Sequence, residues 1–133
     1  MVFAADLQGG VPTTGLFAWK KGALTKIVLE GDPTPVGGTF LPFASTDVAA
    51  IATSGASAAF IAPVSGGSSG EGVFLFRKGT ISTIVKAGDA TPLGGTFEFL
   101  DIGSPLSLSG TTAVFEADLT GAGAALGLFN AKP

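Results

Sequence analysis

The chain has 133 residues, 46% of them hydrophobic and 13% charged, with seven basic against ten acidic side chains and a net charge of -3. Such a composition specifies a packed core. It offers nucleic acid no basic stripe, because the cations are scattered from Lys20 to Lys132, and it holds no apolar run of the ~18 residues that would span a bilayer. Cys, His and Tyr are absent, which excludes disulfides, a Ser-His-Asp arrangement and the usual zinc and non-haem iron ligands, and leaves carboxylate pairs, lysine or an oxygen-bound cation as the available chemistry.

In chain order, the opening "MVFAADLQGG" has neither a basic start nor a long apolar segment, so the chain reads as carrying no secretion signal; export stays open if a leader was removed. "FAADL" then predicts a strand, bounded by a Gly-rich loop. "GLFAW" is apolar on both alternating faces, as expected for a strand with neighbours on both sides. "WKKG" reads as a hairpin turn, and "LTKIVLEGD" as a more exposed strand in which Leu24, Ile27 and Leu29 mix with polar residues. The loop "EGDPTPVGGTF" follows, and the segment beyond it ends in a small apolar strand before a Ser-Gly turn.

The same order then repeats. Residues 72–97, "GVFLFRKGTISTIVKAGDATPLGGTF", align without a gap to residues 15–40, 57 positions earlier. A second series of matches runs through "FAADLQGGVPTTGLF" at 3–17, "FIAPVSGGSSGEGVF" at 60–74 and "FEADLTGAGAALGLF" at 115–129. The unit is therefore about 56 residues, and the chain holds a little over two. Gly and Pro are spread too evenly for a helix. Four short strands per unit, one of them buried on both faces, predict an all-β, propeller-like chain. On this reading 1–133 is one repeat domain: a partial blade at 1–39, a full blade at 40–96 and a partial blade at 97–133. A β-solenoid or a sandwich is the alternative.

The series "GLFAWKKGALTKIVLEGDPTPVGGTF", "PLSLSG", "AVFEADL" and "GLF" resembles the tandem repeats of large bacterial surface or secreted proteins that carry many copies of a "GDPxPxGGTF"-type unit. The resemblance covers nearly the whole chain and implies propeller-like repeats, an extracellular or cell-surface setting for the parent protein, and no catalytic residue. The second copy departs from the pattern, with Ala90 where the first has Pro33.

Several residues stand out as candidates. Asp32 and Asp89 would ligate a cation if loop carbonyls completed an oxygen shell; otherwise each accepts backbone N–H bonds in a turn, with Gly37, Gly38, Gly94 and Gly95 supplying positive φ or close approach. Phe17, Trp19, Phe74 and Phe76, with Phe3, Phe115 and Phe129, are read as the residues on which blades pack or copies meet. The single Trp19 would stack on a sugar if exposed, and Glu116, Asp6 and Asp118 sit near strand ends, where a carboxylate pair would belong. The expectation for function is a non-enzymatic structural or binding module without cofactor. It would assemble with itself, first as a trimer of six blades and second as a dimer of about three blades each. A carbohydrate-binding, lectin-like propeller is the alternative, and a carboxylate-based hydrolase the third reading.

Overall fold

The computed structural model describes residues 1–43, 50–100 and 105–133. Part of the fourth predicted strand segment, at 44–49 and 101–104, lies outside the described residues. Among them the chain is all β, in three antiparallel sheets, none closed into a barrel.

The first sheet is a meander of β1 (Val2–Asp6), β2 (Thr14–Lys20) and β3 (Ala23–Leu29). The middle sheet adds one strand's worth of chain at its near edge. There β4 (Thr39–Phe40) and β5 (Ile51–Ser54) pair end to end with opposite halves of β6 (Ser57–Ser65), followed by β7 (Glu71–Arg77) and β8 (Thr80–Lys86). The third sheet repeats that arrangement. Its β9 (Thr96–Phe99) and β10 (Leu106–Ser109) share the edge of β11 (Thr112–Thr120), and β12 (Leu126–Ala131) closes it. Among the described residues the first sheet therefore has no counterpart of the β4/β5 edge, and the third none of β8.

Local chemistry accounts for the hairpins. In "KKG" and "RKG" the Lys and Gly both take positive φ, 51° and 82° at Lys21 and Gly22 and 52° and 81° at Lys78 and Gly79. Two positive φ values in succession are what a tight turn needs to match the twist of its strands, and Gly takes the second at no steric cost. The neighbouring "IV" pairs break simple alternation. The register slips between Leu16 and Phe17 and again between Val73 and Phe74, so two residues on the outer strand oppose one on its partner. That bulge turns both Ile27 and Val28 into one core cluster, and both Ile84 and Val85 into the other. β3, read from its mixed pattern as a more exposed strand, is thus exposed at its start and buried at Ile27 and Val28.

The middle sheet is covered on both faces. One cluster joins Leu16, Ile27 and Val28 of the first sheet to Phe40, Phe60 and Phe74 of the middle one. The other joins Ile61, Val73 and Val85 of the middle sheet to Phe97, Phe115 and Leu119 of the third. β6 is the most enclosed strand, with Ala58 to Ala62 all buried. Its alanines leave room for the rings beside them, so the "AAFIAPV" pattern of small and large residues is one of packing rather than of exposure.

Side-chain ties run along the same repeat. Phe43 N donates to Thr14 Oγ1 at 2.8 Å, and Leu100 N donates to Glu71 Oε1 at 3.1 Å. Position 14 corresponds to 71 and position 43 to 100, so each sheet holds the connection to the next in the same way. Glu30 fastens the β1–β2 loop, accepting from Thr13 Oγ1 at 2.6 Å and from Thr13 N at 2.8 Å. The hydroxyl first, and then the N–H, hold its carboxyl below the usual carboxylate range. The tie is complete above that range and is lost as pH falls through the lowered value.

Candidate interaction surfaces

The corner loops are built twice from the same bonds. In the first, Asp32 Oδ2 accepts from Leu29 N at 2.9 Å and from Lys26 Nζ at 3.0 Å, while Gly31 N and Phe40 N bond across the loop. In the second, Asp89 accepts from Lys86 N at 3.0 Å and is paired with Lys86 Nζ. Buried Thr34 and Thr91 donate to the carbonyls of Gly37 and Gly94. Pro33 and Ala90 each form the same bridge, to Thr39 and Thr96, so the loop does not depend on proline. Among the described residues no three acids cluster as a metal site would require, and the oxygens of Asp32 and Asp89 serve the turn.

The aromatic residues fall into a repeating set. Phe40, Phe60 and Phe74 form one triad, with centroids 5.0 to 5.9 Å apart. Phe97, Phe115 and Phe129 form the next, at 4.9 to 6.1 Å. Phe3 and Phe17 are the corresponding pair in the first sheet, 6.1 Å apart, and belong to neither core cluster.

These rings define a front and a back to each sheet. The middle sheet's front carries Phe60, Phe74, Phe76 and Ile81, packed into the cluster shared with the first sheet. At the same four places the first sheet has Phe3, Phe17, Trp19 and Leu24, and here Trp19 is 46% exposed and Leu24 58%. The back shows the complementary pattern. Leu16 and Val73 occupy one repeat position in the first two sheets and are both 0% exposed, whereas Leu128, their counterpart in the third, is 71% exposed. Glu116 lies opposite Leu128 in the register and Asp118 opposite Leu126, which places these acids on the third sheet's back, while Asp6 ends β1 opposite Thr14. Trp19 is open because its sheet ends the stack, a fact of neighbours that the repeat alone does not contain.

Between successive sheets lie two matching clefts. The first, about 370 Å³, is lined by Ala18, Lys20, Thr25 and Phe76 with Ala56 from the turn before β6. The second, about 270 Å³, has Leu75, Arg77, Ser82 and Thr111 at the corresponding places. Each presents a basic side chain, Lys20 or Arg77, and several hydroxyls beside apolar residues. A third, open cleft holds Asp32, already bonded to Lys26, as its one acid. None of the three sets two carboxylates face to face.

No curated protein and no solved structure matches the chain. The model of a family of unknown function, DUF7453, matches residues 1–132, and the chain belongs to that family.

Proposed function

We propose that the chain is a non-enzymatic structural and binding module, a run of propeller-type blades whose ring is completed by self-assembly. The observation that carries this reading is the repeated stacking rule: the front of each sheet meets the back of the sheet before it, twice in succession, leaving one front and one back bare. Blades related in this way turn about a common axis, and propellers close with about 4 to 8 of them. The blades are 1–39, 40–96 and 97–133, the outer two incomplete. Since the chain makes three sheets, two copies supply six, and a dimer replaces the trimer as the first expectation. A trimer would need the first and third sheets of adjoining copies to merge into one blade. Light scattering across the micromolar range should report the mass of two copies; a stable monomer would contradict the reading.

Carbohydrate binding is a second reading, favoured by the paired clefts, whose Lys20 and Arg77 suit an acidic sugar and whose Thr25 and Ser82 suit its hydroxyls. In an amide NMR titration with an acidic oligosaccharide, residues of both clefts should shift together. Shifts in neither would remove it.

A further inference from the structure

We propose that the bare front of the first sheet docks on the bare back of the third sheet of a second copy, in the arrangement by which the sheets already pack within one chain. The proposal rests on the self-assembly reading and specifies its contact. Inside the chain the two existing interfaces are built from equivalent residues. Phe60 and Phe74 of the middle sheet lie in one cluster with Leu16 of the first, and Phe115 of the third lies in one cluster with Val73 of the middle. Advancing the same pairing once more sets Phe3 and Phe17 against the position of Leu128.

The residues at that position suit the contact. Leu126, at 53% exposed, and Leu128 present apolar surface with no neighbour among the described residues of their own chain to cover it from behind. Leu126 stands where the first two sheets have Thr14 and Glu71, the acceptors that anchor the connection to the next sheet. The third sheet thus offers a greasy surface at the place where its predecessors offer a tether. Lys26, opposite Phe17 on the front, is already paired with Asp32, so apolar side chains rather than charge select the contact. The contact is heterologous, front to back, and two copies make it twice. An arrangement of front against front would leave both backs, with Leu126 and Leu128, bare. The occupant is therefore a second copy of this chain, presenting its third sheet.

Because the chain has no Cys, single cysteines report the contact directly. Phe17→Cys and Leu128→Cys proteins, mixed and treated with a short bis-maleimide, should give a covalent dimer that neither gives alone. Leu128→Glu, a change at an exposed site that leaves the fold intact by circular dichroism, should weaken association by about tenfold or more. If light scattering shows a dimer but the mixture fails to cross-link and Leu128→Glu associates normally, the face assignment is wrong while self-assembly stands. If Phe17→Cys alone cross-links, the contact is front to front and the proposal is likewise wrong. A monomer at all concentrations overturns both.

Discussion

Replacing Phe60 by Ala should lower the stability of the folded chain by about 3–5 kcal/mol, the range measured for emptying the site of a large buried aromatic. Phe60 is fully buried at the centre of a ring cluster, 5.9 Å from Phe40, 5.7 Å from Phe74 and 6.3 Å from Phe43. Its surroundings are themselves held by two sheets, so the cavity has little freedom to collapse. The same substitution at Phe3, its equivalent in the first sheet, removes a ring that touches Phe17 but no core cluster, and should cost about 1 kcal/mol or less in a single chain. The contrast isolates position in the stack from residue identity. Urea melts of the two variants, below the concentration at which copies associate, should differ by several kcal/mol. Equal losses would mean that the first sheet's front is covered within its own chain.

Replacing Gly95 by Ala should destabilise by roughly 3 kcal/mol, a large effect for one methyl group. Its φ of 71° lies in the region that residues with a Cβ rarely adopt, and a Cβ there would sit 2.3 Å from Thr120 O and 2.5 Å from Ala122 N. Both neighbours are backbone, so no side chain can swing aside. Gly38 is held in the same way, 2.1 Å from Ser65 O and 2.5 Å from Gly67 N, and should respond alike. Gly88, with φ 92° but open space around it, pays only for the backbone conformation and should lose about 1 kcal/mol. Thermal melts that rank Gly88→Ala as damaging as Gly95→Ala would show that the corner loop and the loop after β11 are not locked together.

Much of this arrangement is legible in the sequence. The period of about 56 residues, the hairpin turns at Lys21–Gly22 and Lys78–Gly79, and the strand order within a unit follow from local chemistry that repeats in the sequence. Alternation misled where it was broken by a bulge: Ile27 and Val28 point to one face, and no pattern of period two assigns them together. The tight pairs at Gly38 and Gly95 were visible as repeated glycines, but the backbone they meet belongs to loops distant in sequence, at Ser65–Gly67 and Thr120–Ala122. Least legible was exposure. Phe17, Phe74 and Phe129 are the same letter in the same context, yet Phe74 is fully buried, while Phe17 is half-buried and belongs to neither core cluster. A repeat sequence encodes how neighbours pack and leaves open which copy has a neighbour. For the same reason the paired clefts could not be read from single residues, since Lys20 and Thr111 belong to them only once two sheets are stacked.

A cryo-electron microscopy structure of the particle formed in solution decides whether the stack of sheets closes into a ring. It should show six sheets about one axis, contributed by two copies, with Phe3 and Phe17 of each covered by the third sheet of the other at Leu128. An isolated chain with both end faces in solvent, or two copies joined through the same face, would contradict it.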